Sequence, residues 1–280
     1  MKVTQRTINI DGLPIHYAVA GQGEPIVFIH GLSGSWRWWR RNIPTLARHY
    51  QLYLLDLPGF GAMRRFAQHF QLQESATWLN KLLQALELHE IHLVGHSMGG
   101  YISIAYAALY PEKVKHLVLV DSIGIRFQTL LTEANIEQRL TRMALIAIGK
   151  TTPRFWPYIF YDYLRAGSAM VRNASRQIIA LEAAEAIAAV NVPTLLIWGS
   201  HDDLVPLSLG RQLHQQLKGS HLLILQGSNH FPMFDQPHDF NTALLTFLQG
   251  QEIGILNPDS PDTPDDISVP ITKSELGKLL

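Results

Sequence analysis

Ser97 stands at the centre of Gly95-His96-Ser97-Met98-Gly99, a serine framed by glycine two residues to either side. A serine hydroxyl is a weak nucleophile until a base takes its proton. The base is commonly a histidine oriented by a carboxylate. Two later stretches supply such groups: Trp198-Gly199-Ser200-His201-Asp202-Asp203-Leu204-Val205-Pro206 and Gly227-Ser228-Asn229-His230-Phe231-Pro232. Gly-x-Ser-x-Gly alone carries little weight, since any glycine-rich loop can contain it. Its meaning rests on where the chain places it.

The elements around it give that placement. Ile91 to Val94 is an apolar run that reads as a buried strand, and Met98 to Tyr110 reads as a helix. A sharp strand-to-helix turn would hold Ser97 out at its tip, with glycines letting the two elements pass closely. The helix would point its free N–H groups at whatever Ser97 attacks. Further strands are expected over Val3 to Ile10, Leu13 to Val19, Pro25 to Ile29, Gln51 to Leu55, Val114 to Val120, Pro193 to Trp198 and His221 to Leu225. Helices are expected over Trp36 to His49, Glu74 to Leu88, Leu207 to Leu217 and His238 to Leu248. This alternation predicts an α/β fold, a mainly parallel, doubly wound sheet with helices on both faces. The loops of Asp202 and His230 then follow strands, on the same sheet edge as Ser97, where open α/β sheets bind ligands.

Between Asp121 and Asn191 the strand signal fades and aromatics gather. A structureless loop of that length is disfavoured, so an inserted helical cap over residues 122–190 is expected on a core of 1–121 and 191–250. Phe155, Trp156, Tyr158 and Tyr161 either line a substrate pocket under that cap or form its own core. Residues 251–280, rich in proline and aspartate, read as a disordered tail.

The chain has 280 residues, 47% of them hydrophobic, with 23 basic and 23 acidic side chains. Zero formal net charge gives no reason to expect a nucleic-acid partner. Arg37, Arg40 and Arg41 alternate with Trp36, Trp38 and Trp39, which reads as a helix with arginines outside and tryptophans inside. Contact with a membrane surface through those tryptophans stays open, as does the oligomeric state. The absence of cysteine excludes disulfides, thiolate metal sites and a cysteine nucleophile. No apolar run is long enough to span a bilayer, and the N-terminus lacks a signal-like core, so a cytoplasmic, soluble protein is expected. No metal-ligand cluster and no phosphate-binding glycine loop is evident, so no cofactor is expected.

Taken together these segments resemble the α/β-hydrolase fold superfamily over about residues 1 to 250. The resemblance lies in the Ser97 turn, the Trp-Gly-x-x-Asp-x-x-Val-Pro segment, the Gly-x-x-His loop, His30-Gly31 and Asp56-Leu57-Pro58-Gly59-Phe60-Gly61, in that family's order. It implies Ser97 as nucleophile, His230 as general base and acid, and Asp202 as its orienting partner. It also implies an oxyanion hole from the backbone N–H groups of Met98 and Leu32, with His30, Gly31, Gly95 and Gly99 in support. Asp203 and Asp121 are rival acids, His96 is expected to pack or hydrogen-bond, Asp56 to be structural and Asp235 to cap the last helix. A serine, in place of the aspartate of the dehalogenase and epoxide-hydrolase branches, implies an acyl-serine route on a small ester-like or thioester substrate. Carbon–carbon bond hydrolysis or lyase chemistry, perhydrolysis, and a non-enzymatic ligand-binding role are the alternatives.

Overall fold

The computed structural model describes residues 2–125, Gly149 and 151–251; the expected tail falls almost wholly outside these. Eight strands form one sheet in the order β1-β2-β4-β3-β5-β6-β7-β8. They are β1 (Thr4–Ile10), β2 (Leu13–Ala20), β3 (Pro25–Ile29), β4 (Gln51–Leu55), β5 (Ile91–His96), β6 (Val114–Val120), β7 (Thr194–Gly199) and β8 (His221–Leu225). The β1–β2 hairpin is antiparallel and joins β4 antiparallel; from β4 to β8 every pairing is parallel.

The parallel strands are buried on both faces, which explains their continuous apolar sequences. In β3, Val27 and Ile29 join one apolar cluster while Ile26 and Phe28 join the other. This period of two is the strand pleat read out as two cores. The first core is roofed by α2 (Ser75–Ala85), α3 (Met98–Leu109), α6 (Ala184–Ala189) and α7 (Leu207–Gln216), through Leu79, Ile102, Ile187 and Leu213. The second is closed by α1 (Ile43–Leu46) and α9 (Pro237–Leu248), through Leu46 and Phe240. Helices α4 (Trp156–Ala166) and α5 (Ser168–Ile179) lie between β6 and β7, among the residues expected to form a cap, and α8 (Pro232–Asp235) is a single turn just after His230.

Two segments differ from the sequence-based expectation. Trp36 to His49 is not one helix: a 3-10 turn over Trp36–Trp39 is followed, after a break, by the short α1. Arg40 and Asn42 donate three residues back, to Arg37 and Trp39. Pro44 has no N–H to give and its ring would crowd the carbonyl four residues earlier, which stops a continuous helix. The 3-10 turn starts on Ser35, whose Oγ accepts from the Arg37 N–H at 3.3 Å. The second difference is α6. It falls in the segment expected to be cap, yet Ile187 is buried against the α3 layer, so these residues complete the core's helical wall.

Sheet order also fixes the site. The chain runs outward from β3 to β4 and then returns to place β5 on the other side of β3. At such a switch point the loops after β3 and β5 diverge and leave a crevice. Ile29 pairs with Gly95, His96 with Val120, Val120 with Ile197 and Gly199 with Leu225. The strands therefore end level, and the loops carrying Gly31, Ser97, Asp121, Asp202 and His230 emerge along one edge.

Candidate active site

Ser97 follows the last residue of β5 and precedes the first of α3, with φ +53° and ψ −115°. A non-glycine residue held there is strained and persists only when its surroundings over-determine it. They do so here. The Ser97 N–H donates to Val120 O at 2.9 Å, and its carbonyl accepts from Gly100 N at 2.9 Å and Ile123 N at 3.2 Å. The flanking glycines have steric reasons. A Cβ on Gly95 would run into Gly99 O and Ser103 Oγ, and one on Gly99 into the carbonyls of Ile29 and His30. Met98 is the first residue of α3, where an N–H has no acceptor within the helix.

The Gly31 loop crosses directly over the turn. A Cβ at Gly31 would lie 2.8 Å from His96 Nδ1 and 3.0 Å from Ser97 Cβ. Only glycine admits this approach of the Gly31 backbone to Ser97. His30 shapes that loop from within. The Leu57 N–H donates to His30 Nε2 at 3.1 Å, so the ring proton sits on Nδ1 and donates to Gly31 O at 2.7 Å. Burial disfavours the imidazolium and lowers the His30 pKa to about 4, keeping this tautomer neutral.

His230 and Asp202 meet in the interior, 28 residues apart in sequence, with His230 Nδ1 donating to Asp202 Oδ2 at 2.7 Å. The other Asp202 oxygen accepts from Leu204 N at 2.8 Å and Val205 N at 2.9 Å, which locks the carboxylate in place. With Nδ1 committed, Nε2 is the ring atom left to exchange a proton. His96 then joins the histidine loop to the turn. Its Nε2 donates to the His230 carbonyl at 2.8 Å and the two rings lie 4.8 Å apart. Burial and the neighbouring His230 hold His96 well below the usual imidazole range. The hydrogen bonding left open at this position by the sequence is thus a tether 134 residues long in chain terms.

The other acids separate cleanly. Asp203 and His201 are exposed. Asp121 is fully buried, and one of its carboxyl oxygens lies within 4.8 Å of ligand atoms on Asp202 and His230. Its Oδ1 accepts from Gly199 N at 2.9 Å. Burial first, and then the Asp202 charge, push its pKa well above the carboxylate range. His230 is bonded to Asp202, and Asp121 lies beside that acid as its neutral neighbour. Asp56 is a buried brace: it accepts from Trp36 N and Ala62 N, both at 2.8 Å, and burial raises it to about 6. Asp235 does not cap the last helix, whose N-cap is Gln236 and carries no side-chain cap bond. Its Oδ1 accepts from the Thr152 N–H at 3.0 Å and the Thr152 hydroxyl at 2.8 Å, tying the start of the inserted helices to the His230 loop. No local pattern in the sequence signals that contact.

Of the four aromatics expected near a pocket, Phe155 is fully buried and stacks on Phe234 with ring centroids 4.0 Å apart. Its edge also meets Phe231, next to His230, at 4.9 Å. Tyr158 is half-buried beneath Arg40. Trp156 and Tyr161 are 44% and 46% exposed and sit on the outer side of α4, so they do not wall an enclosed pocket among the described residues. The helix period explains the split: Phe155 and Ile159 face inward, four residues apart, and Trp156 and Phe160 face outward. Among the described residues, no helix is long and apolar enough to cross a membrane.

Comparison with known proteins agrees with this architecture. A family model described as alpha/beta hydrolase fold matches residues 24–145, and one described as TAP-like protein matches 164–253. Lipase 1 of Psychrobacter immobilis is 30% identical over 257 residues, covering 82% of this chain and 79% of the lipase. The 2-hydroxy-6-oxo-6-(2'-aminophenyl)hexa-2,4-dienoic acid hydrolase of Metapseudomonas resinovorans is 28% identical over 274 residues, covering 87% of this chain and 90% of that enzyme. The crystal structure of a membrane phospholipase A, a bacterial virulence factor, superposes with a TM-score of 0.77 at 25% identity, over 89% of this chain and 86% of that one. With the level strand ends, the glycine-framed serine turn and these relatives in view, the chain belongs to the α/β-hydrolase fold superfamily.

Proposed function

We propose that this protein is a serine hydrolase that cleaves a carboxylic ester or thioester through an acyl-serine intermediate. The observation that supports this best is the arrangement of Ser97. It is held at φ +53° at the head of α3, on the same sheet edge as a buried His230–Asp202 pair bonded at 2.7 Å. In this reading His230 Nε2 takes the Ser97 proton as Oγ attacks the acyl carbon. Asp202 stabilises the imidazolium that forms. The tetrahedral oxyanion is held by the Met98 and Leu32 N–H groups, each worth about 3–4 kcal/mol of barrier in comparable sites. On collapse, His230 returns the proton to the leaving alcohol or thiol. Water then attacks the acyl-serine with His230 again as base, releasing the acid and restoring Ser97.

A second reading has a specific support. The Metapseudomonas resinovorans relative, matched along 90% of its length, is a dienoic acid hydrolase. The same three side chains would then serve carbon–carbon cleavage of a ketone-bearing dienoate. Two measurements test these readings. A fluorophosphonate probe should label wild type and fail to label Ser97→Ala, with both proteins folded; no labelling of wild type would overturn the activated nucleophile. Turnover of short p-nitrophenyl esters against a 2-hydroxy-6-oxo-dienoate then separates the chemistries. Faster kcat/KM on the dienoate would replace the ester reading by the second one.

A further inference from the structure

Helix α4 is built inside out. A surface helix ordinarily turns its charged side outward. Here Trp156, Phe160, Tyr163 and Leu164, at i, i+4, i+7 and i+8, form an outward apolar stripe, each at least 40% exposed and Phe160 and Leu164 above 60%. The one acid of the helix, Asp162, points inward and accepts from Ser35 Oγ at 2.6 Å. Large apolar side chains gathered on one exposed surface mark a contact surface.

The charge around the stripe says what it contacts. Segments 36–48 and 151–181 together carry eight arginines and a single acid, the buried Asp162, in a chain whose basic and acidic totals are equal at 23 each. Three of the arginines pack on aromatics beside the stripe. Arg40 lies 4.6 Å from the Tyr158 ring centroid, and Arg37 lies 5.3 Å from the Trp36 ring and 5.8 Å from the Tyr161 ring. Arg165, four residues on, lies 5.1 Å from the Tyr161 ring. Exposed Trp, Tyr, Phe and Leu on one face, with arginines along the adjoining side at Tyr158 and Tyr161, is the composition of helices that lie in the plane of a bilayer interface. There the apolar side chains enter the acyl boundary while the cations meet anionic headgroups. The eleven residues of α4 span about 16 Å, enough for the stripe to engage the interface along its whole length.

We infer that the protein docks on anionic membrane surfaces through the outward face of α4 and the arginines beside it. The arginine–tryptophan pattern of segment 36–41 contributes its cations: Trp38 and Trp39 are buried and unavailable to lipid, while Arg40 is exposed. The inference stands apart from the proposed reaction, since it needs no catalysis.

The test is flotation of the full chain, carrying Ser97→Ala to prevent any lipid turnover, with two vesicle types. One is pure phosphatidylcholine and the other contains phosphatidylglycerol. Binding is expected to the anionic vesicles, weakening as salt rises. The Phe160→Ser, Leu164→Ser double variant should lose tenfold or more, and Arg40→Gln about fivefold. With Ser97 intact, that double variant should keep wild-type hydrolysis of a soluble short ester, which certifies its fold. Absence of binding to anionic vesicles, or undiminished binding by the double variant, would overturn the dock and leave the hydrolase reading standing. So would a wild-type dimer that the double variant dissociates in sedimentation without any vesicle binding, because a second copy would then cover the stripe.

Discussion

Asparagine at position 121 should be tolerated and asparagine at position 202 should not. Both carboxyl groups are buried and lie close to the His230 ring, yet they are held by different partners. Asp202 accepts from His230 Nδ1 at 2.7 Å and from two backbone N–H groups, at Leu204 and Val205. Asp121 receives one backbone N–H, from Gly199, and faces the Asp202 charge, so burial and repulsion keep it neutral. Asparagine keeps Oδ1 for the Gly199 N–H and, like the neutral acid, places no charge beside Asp202. Asp121→Asn should therefore change kcat by less than about tenfold, ~1.4 kcal/mol of barrier. Asp202→Asn offers an amide where the imidazolium needs a carboxylate, a change worth about 10⁴ in kcat, or ~5.5 kcal/mol, in comparable triads. Asp121 would soften that loss: freed from the Asp202 charge it ionises more readily within reach of His230, so the double variant should fall below Asp202→Asn alone. Steady-state rates on a soluble p-nitrophenyl ester read all three. Stability adds an independent sign. A carboxyl whose folded pKa is raised contributes stability below its unfolded pKa and loses it as pH rises through the folded value. Asp121→Asn should accordingly gain in denaturant midpoint relative to wild type as pH rises. Equal damage from the two single variants, or a harmless Asp202→Asn beside a damaging Asp121→Asn, would refute the assignment.

Three further outcomes can be measured. Gly31→Ala places a Cβ 3.0 Å from Ser97 Cβ and 2.8 Å from His96 Nδ1, so the loop must shift and take the Leu32 N–H with it; kcat should drop about 10²-fold with KM little changed. His30, held neutral down to about pH 4 against 6.5 when unfolded, contributes stability that is present above pH 6.5 and lost as pH falls towards 4. Between pH 7 and 5 wild type should lose roughly 2 kcal/mol more than His30→Gln in paired denaturant titrations, as a depressed folded pKa of this size requires. Deleting residues 255–280 should leave kcat/KM on a soluble ester unchanged, and a large loss would show that the tail packs on the site.

The sequence by itself determined what depends on neighbouring residues. The pleat period of β3 and β5, the strand-to-helix turn at Ser97 and the crowding of Gly95 by Gly99 and Ser103 are short-range facts, visible in the string of residue types, whereas Gly99 is required by the carbonyls of Ile29 and His30 on a distant strand end. Strand alternation likewise set the parallel sheet, and with it the edge on which Ser97, Asp202 and His230 emerge. Pro44 could have been read as a helix stop, since the proline rule is also local. Tertiary structure alone decided the rest. Which of three nearby aspartates meets His230 depends on the level ends of β6, β7 and β8 and on the Leu204 and Val205 N–H groups that aim Asp202. The His96 bond to the His230 carbonyl and the Asp235 bond to Thr152 join residues 134 and 83 positions apart, beyond the reach of any periodicity. The outward apolar face of α4 was equally hidden: its period marks a helix with two unlike sides, and only the position of Phe155 against Phe234 fixes which side meets the protein. Local sterics choose the elements, whereas the direction each side chain faces is set by what the folded chain brings opposite it.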